Sequence, residues 1–410
     1  MAKKILIIVE NLPVPPDFRV WKEARSLRGA GYEVTVLCPR GKGCERGYEF
    51  IDGVHIYRHP TAQEGHGPWG YVLEYSYALF WEFLYSWWIY LRRGFRVIQA
   101  CNPPDDIFLV ALPFKLLGVK YIFDHHDVNP ELYLSKYGKM GLFYKIQVWL
   151  EKMTFRFSDV VMSTNNSYRE IAMTRGGVSG DDVFVVRNGP DPETFKAVSP
   201  NPTLKQGKRY LVGYVGVMNS QEGLDILLDV ASRIKNLGRR DVHFTCIGRG
   251  PELASLRKMT QDKQLEDMVT FTGFVPDAEL VEILSTADVC VNPDRPSQMN
   301  SMSTMIKILE YMCLGKPIVQ FEGKEGRFSA QDASLYSGEQ AADFAEKILW
   351  LLDHPEERER MGRFGRTRIE KELAWEYSVQ NLLAAYERAF SKMRGRSAVE
   401  ANNASAEMKH

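Results

Sequence analysis

The sequence predicts an α/β protein built from two doubly wound domains, and three observations carry that prediction. Short β-branched runs alternate with amphipathic helical stretches, the rhythm of a parallel sheet with crossover helices. The rhythm is interrupted once, by a Pro- and Gly-bearing stretch from Asn188 to Gly207, and then restarts. With 410 residues, the chain exceeds a single domain of roughly 150.

In the first half, Ile5–Glu10, Glu33–Cys38, Val54–His59, Val97–Cys101, Lys120–Asp124, Asp159–Thr164 and Val183–Arg187 read as strands. Amphipathic segments such as Val20–Leu27 and Phe143–Phe157 lie between them. In the second half the strands are Tyr210–Val215, Val242–Ile247, Val269–Thr272, Val289–Val291 and Ile318–Phe321. Helices at Leu224–Asn236, Glu252–Lys263, Ala278–Ser285 and Thr304–Met312 separate them. The pattern after residue 338 is helical to about Lys392, and the small, polar stretch 393–410 predicts a disordered tail. The expected domains are therefore 1–190 and 208–375, joined by a linker at 191–207, with a helix over 376–392 packing back on the first. Doubly wound sheets bind ligands at the carboxyl ends of their strands, so a cleft between the domains is the expected site.

Composition excludes several classes. The chain is 45% hydrophobic and 25% charged, which rules out fibrous and wholly disordered proteins. Lys+Arg and Asp+Glu balance at 52 each, so no overall field recruits nucleic acid. Six cysteines are scattered without a CxxC pair, which reads as reduced core thiols. No metal-ligand spacing appears, and neither metal nor cofactor is expected. The first apolar run reads as a strand, not a signal peptide, and no stretch of about 18 apolar residues exists, so a cytoplasmic protein is expected. From Tyr71 to Tyr90, however, ten of 20 residues are aromatic, against 12% in the whole chain, and Arg92, Arg93 and Arg96 follow. Glu74 and Glu82 argue against a spanning helix. The expectation is a surface helix that rests on the inner face of a membrane through Tyr71, Trp81, Trp87, Trp88, Arg92 and Arg93.

The most informative segment is Ala287–Val319, ADVCVNPDRPSQMNSMSTMIKILEYMCLGKPIV. A buried strand ends in a polar loop, and a helix opens near Ser303-Thr304, whose hydroxyls suit an N-cap beside an anion seat. Lys307 adds a charge, and Glu310 lies three residues on, placed to accept hydrogen bonds from a sugar diol.

Taken with Gly216–Ala231 (GVMNSQEGLDILLDVA), Ile247–Leu253, Val269–Leu280, Asn11–Leu37, Phe123–Glu131 and Val185–Asp191, this block resembles the retaining glycosyltransferases of family 4. The resemblance covers residues 4 to about 390, and it is closest to a sub-branch similar to transferases of bacterial surface polysaccharide assembly. It implies a GT-B fold, two Rossmann-like domains facing across a cleft, and a nucleotide-sugar substrate. By resemblance, Glu310 binds the ribose hydroxyls, amides around Ser303, Thr304, Met305 and Ile306 hold the diphosphate, and Gly273, Phe274 and Val275 flank the base. Gly216 and Val217 belong to the same donor side. His126 stands near the reacting sugar, with Glu310 the second residue assigned to the chemistry. Asp17, Arg19, Asn129 and Glu131, on loops after strands, are the acceptor-side candidates.

The sequence also departs from the family. Met302 stands where a second Glu is common, and Val217 and Glu222 stand where Arg and Lys are common. Arg249, Arg295 and Lys307 are the cations left for the diphosphate. The implied reaction is a metal-independent transfer, with retention, from a UDP-sugar or related donor to a lipid-linked or membrane-proximal glycan. The departures also motivate a non-catalytic subunit, and the architecture admits a nucleotide-sugar 2-epimerase.

Overall fold

A computed structural model describes residues 3–61 and 67–407, without the side chains of 67–69, 71, 136 and 394–407. The chain divides into two compact units: residues up to Arg187 together with those from Ser378 on, and Asn188–Tyr377.

The first unit carries strands β1 (Lys4–Val9), β2 (Glu33–Pro39), β3 (Tyr48–Ile51), β4 (Val54–His59), β5 (Val97–Cys101), β6 (Lys120–His125), β7 (Val160–Ser163) and β8 (Val183–Val185). Their order in the sheet is β3-β4-β2-β1-β5-β6-β7-β8. Every pairing is parallel except the β3–β4 hairpin at the edge. Helices cover both faces, which is why β1 is a continuous apolar run, buried from Ile5 to Val9. The β3–β4 hairpin is absent from the sequence reading because β3 alternates exposed and half-buried positions at an edge. Its turn carries the Asp52-Gly53 pair at φ 49° and 82°, the backbone a two-residue hairpin turn requires.

The second unit carries β9 (Tyr210–Val215), β10 (Val242–Ile247), β11 (Val269–Gly273), β12 (Val289–Asn292), β13 (Ile318–Phe321) and β14 (Ser334–Ser337). All run parallel, in the order β11-β10-β9-β12-β13-β14. Counted within the unit this is 3-2-1-4-5-6, the dinucleotide-fold order, whose winding reverses between β9 and β12. In the first unit the corresponding reversal falls between β1 and β5. Ligands of such sheets sit outside the carboxyl ends of the two strands at the reversal.

The helix Trp375–Glu407 returns to the first unit. Tyr386 donates to Gln99 Oε1 at 2.5 Å and packs edge-on against Tyr32, and Arg388 and Lys392 pair with Asp182 at 2.8 and 2.6 Å. The backbone stays helical to Glu407, into the stretch from 393 where a disordered tail was expected. Ala, Glu, Met and Arg are strong helix formers, and extending an existing helix avoids the unfavourable nucleation step. All six cysteines are buried and unpaired. Among the described residues no helix is long and apolar enough to cross a membrane.

Candidate functional site

In the second unit, the loops that follow β9, β10 and β12 are drawn together by glycine. A side chain at Gly248, which has φ 137°, would put its Cβ 1.9 Å from the Gly216 carbonyl oxygen. At Gly223, φ 64°, a Cβ would lie 2.0 Å from the Pro293 carbonyl oxygen. Only glycine permits both the dihedrals and the approach.

Into this crevice projects the helix Ile306–Cys313. It begins two residues later than the sequence suggested. Its N-cap is Met305, which makes no side-chain capping bond, whereas Ser303 closes a short helix, Gln298–Met302, that Ser297 caps through the Asn300 amide. Ser297 and Ser303 thus serve the earlier element, while Met305 brings no side-chain cap to the first turn of Ile306–Cys313, where the Ile308 amide donates to the Met305 carbonyl. First-turn amides, at the positive end of the helix dipole, suit an anion. Tyr311 fixes the helix against the sheet: its hydroxyl accepts from the Val215 amide at 2.9 Å and donates to the Val291 carbonyl at 3.2 Å. Glu310, next in the chain and half-buried, is therefore carried on an element locked to both strands of the reversal.

The three cation candidates separate clearly. Lys307 is buried, and its ammonium donates to Asp294 Oδ1 at 2.7 Å and to Glu222 Oε2. Burial lowers its pKa, but Asp294 and Glu222 outweigh burial and hold it above the ordinary lysine value. Burial pushes the Asp294 carboxyl up to about 7, with Lys307 pulling it down and Glu222 adding to the rise. Tyr214 donates to the same Glu222 oxygen at 2.9 Å. Lys307 is thus neutralised in place by two carboxylates and does not present a free charge to a diphosphate. Arg295 likewise pairs with Asp225 and donates to the Ser220 carbonyl at 2.8 Å. Arg249 is exposed, its guanidinium 5.4 Å from the Phe274 ring, and no carboxylate pairs with it among the described residues. Phe274 is itself exposed, Val275 is core, Gly216 donates to the Ile247 carbonyl, and Val217 faces solvent. Asp294, Arg295, Ser303 and Met305 line a pocket at the ends of β12 and β13.

In the first unit, Arg19 and His126 meet. Arg19 is buried and donates to Asp124 Oδ1, to the Val186 carbonyl and to His126 Nε2, each at 2.8 Å. His126 Nε2 also lies 2.7 Å from Asp124 Oδ2. That nitrogen can offer a lone pair to the guanidinium or a proton to the carboxylate, not both at once. Burial lowers the His126 pKa, and the Asp124 carboxylate more than reverses this, so the net shift is upward. Burial raises Asp124, yet Arg19 and His126 pull it well below the ordinary carboxylate range. Gln99 completes the group, donating to Asp124 at 2.9 Å and to Glu23 at 2.6 Å. Burial, reinforced by Asp124, pushes Glu23 up to about 8.

The other acceptor-side candidates hold structural bonds. Asp17 caps the helix Phe18–Gly29 through the Val20 amide, Asn129 donates to Asp105, and Glu131 takes a two-pronged bond from Arg175. His125 is buried among Phe123, Phe155 and Tyr168, and burial drives its pKa down to about 3. Asp124, Glu23, Gln99 and Tyr311 are residues the sequence reading does not single out, and it treats Glu222 only as a departure from the family. Each comes from a separate element, and only a buried polar residue within an apolar strand, as at Gln99 and Asp124, signals any of them.

The aromatic helix is Gly67–Arg93. Ala78, Glu82, Ser86 and Ile89 form its buried stripe. Trp87 packs 4.5 Å from Phe114 in the core, and it and Trp81 are half-buried, so both flank the buried stripe and are only partly open to solvent. Trp88 is exposed with Arg92 4.8 Å over its ring, and Arg93 donates to the Tyr57 hydroxyl. The Tyr71 side chain lies outside the described residues. Leu73, Tyr77, Phe80, Leu84, Trp88 and Leu91, at intervals of three and four, make an exposed apolar stripe.

Comparison with known proteins agrees with this architecture. Residues 17–189 match the family described as glycosyl transferase 4-like domain, and residues 209–354 match glycosyl transferases group 1. The alpha-D-kanosaminyltransferase of Streptomyces kanamyceticus is 29% identical over 287 residues, 66% of this chain and 72% of that protein. Sucrose-phosphate synthase from Thermosynechococcus elongatus superposes with a TM-score of 0.77 at 17% identity, covering 95% of this chain and 100% of that one. Anabaena HepE, in complex with UDP and glucose, gives 0.69 at 14% identity over 93% and 98%. The chain belongs to the family 4, group 1 glycosyltransferases and has their GT-B fold. It is a glycosyltransferase of glycan biosynthesis.

Proposed function

We propose that the protein transfers a sugar, with retention, from a nucleotide-diphosphate sugar to a lipid-linked or membrane-proximal glycan. The observation that carries the reading is the arrangement at the β9/β12 reversal: an uncapped helix N-terminus beside Glu310, on a helix that Tyr311 locks to both strands. The first-turn amides of that helix take the diphosphate, Glu310 accepts from the ribose hydroxyls, and the Arg249–Phe274 pair flanks the base and supplies the mobile positive charge. As the sugar–phosphate bond breaks, negative charge grows on the departing diphosphate, and these amides and Arg249 stabilise it. The diphosphate oxygen takes the proton of the acceptor hydroxyl as the new glycosidic bond forms, so neither a glycosidase-type carboxylate pair nor a metal ion enters the step. HepE's complex with UDP and glucose is the reason to try UDP-sugars first.

The acceptor side is read from the Arg19–Asp124–His126 group, whose imidazole keeps a partly exposed edge for a sugar hydroxyl. The apolar stripe of Gly67–Arg93, ending in Arg92, is read as the surface that rests on the cytoplasmic leaflet and meets a lipid-linked acceptor. Turnover of a panel of nucleotide sugars by the purified protein tests the whole. Release of free nucleotide with one sugar donor, reduced ten- to a hundredfold in Arg249→Ala, is expected. A protein that consumes no donor in the presence of membrane glycolipid contradicts the catalytic reading.

A further inference from the structure

We propose that Glu10, His59 and Glu82 form a binding site for one divalent transition-metal ion of the Zn²⁺ or Mn²⁺ type. The inference is independent of the transfer reaction. Glu10 directly follows β1, His59 ends β4, and Glu82 projects from the buried stripe of the helix Gly67–Arg93. One ligand atom from each lies within 4.8 Å of the other two. His59 Nδ1 is 2.9 Å from the Pro60 carbonyl oxygen, an atom that only accepts, so Nδ1 carries the proton. In the neutral ring Nε2 then aims a lone pair at the carboxylates, which is the second bond that orients metal-binding histidines.

What Nε2 meets there is another acceptor. Glu10 Oε2 is 3.0 Å away, yet neither atom makes a hydrogen bond, and Glu82 Oε1 is also without a partner. His59 is 0% and Glu82 1% exposed, so solvent does not satisfy them. Asp106, half-buried, is a further carboxyl close enough to act on both Glu82 and Glu10. Among the described residues, no Lys or Arg pairs with any of these carboxylates. Acceptors that converge in a buried site need a proton or a cation between them. An ion with ligand bonds of about 2.0–2.2 Å resolves the conflict, and an imidazole with carboxylates suits Zn²⁺ or Mn²⁺. Glu10 is the one partly exposed member.

The cluster Cys101, Asp124 and His126 satisfies the same proximity but differs in one respect: the Arg19 guanidinium already occupies it. The expectation that the chain holds no metal site rested on local spacing, and here the three ligands come from distant parts of the sequence. Bound metal would tie the aromatic helix to the ends of β1 and β4.

The test is calorimetric titration of EDTA-stripped, dialysed full-length protein with ZnCl₂ or MnCl₂, with bound metal counted by elemental analysis. One equivalent of Zn²⁺ or Mn²⁺, a raised melting temperature, retention in Cys101→Ser and loss in Glu82→Gln are expected. Should Glu82→Gln fail to fold, Glu10→Gln carries the test, with affinity reduced ten- to a hundredfold. Failure of both ions to bind, equal binding by wild type and the Glu variants, or preference for MgCl₂ or CaCl₂ overturns the proposal; the first outcome leaves protons as the occupants.

Discussion

Lys307 shows how a residue changes meaning between sequence and structure. Read along the chain it is a cation one turn into a helix at an anion seat. In the fold it is buried between Glu222 and Asp294, and Glu222 stands where the family commonly has a basic residue. Removing one partner of a buried ion pair leaves the others uncompensated, so Lys307→Met is expected to lower stability by about 3–5 kcal/mol in chemical denaturation. A second residue-scale prediction concerns His125. Its folded pKa is depressed to about 3 from 6.5 by burial, so below pH 6.5 the unfolded chain takes a proton the folded one refuses. Stability is therefore lost as the pH falls through that window. His125→Phe should abolish this component, reducing the loss between pH 7 and pH 5 by about 2 kcal/mol in urea melts. Glu310 and His126 can be singled out along the chain because their motifs are local. The roles of Glu222, Asp294, Asp124 and Glu23 cannot, because each depends on a partner more than ten residues away: Lys307 for Glu222 and Asp294, Gln99 for Asp124 and Glu23.

At the scale of elements, the strands were legible almost throughout. Parallel strands covered on both faces are uniformly apolar, and the sequence displays them plainly. The two that escaped, β3 and β14, are edge strands of four residues each, with half-buried positions and weak patterning. The start of Ile306–Cys313 was misplaced because a Ser-rich run offers several N-caps, and the earlier helix uses Ser297. The aromatic helix was legible as an amphipathic surface element, but not the side each tryptophan takes. Its exposed stripe yields a prediction: wild type floats with anionic liposomes, and Leu73→Glu with Leu91→Glu lowers the bound fraction at least tenfold without shifting the melting temperature. Unchanged flotation would assign the stripe to another contact. Gly248→Ala belongs to this scale too. With φ at 137° and the Gly216 carbonyl in the way, it is expected to destabilise the second unit by about 3 kcal/mol or more, measured by thermal melting.

At the scale of the molecule, the two sheets share one logic. Each reverses its winding once, and each gathers its candidate residues at the strand ends beside that reversal. The chain closes by sending Trp375–Glu407 back to the first unit, where Tyr386 joins the polar group around Gln99, Glu23 and Asp124. Tyr386→Phe should therefore cost about 1–3 kcal/mol, since it orphans Gln99 Oε1 in a buried site. The order of domains was readable from the rhythm of the sequence. The crossing helix was readable as a helix, but its contacts with Gln99 and Asp182 were not.

The central claim is that the second unit holds a nucleotide through Glu310 and the helix it sits on. Calorimetric titration of the full-length protein with UDP, GDP, dTDP, ADP and CMP, on wild type and Glu310→Gln, tests it most directly. The account predicts saturable binding of one nucleoside diphosphate, UDP first among them, weakened at least tenfold by the substitution. Binding of no nucleotide, or equal binding by both proteins, would contradict it.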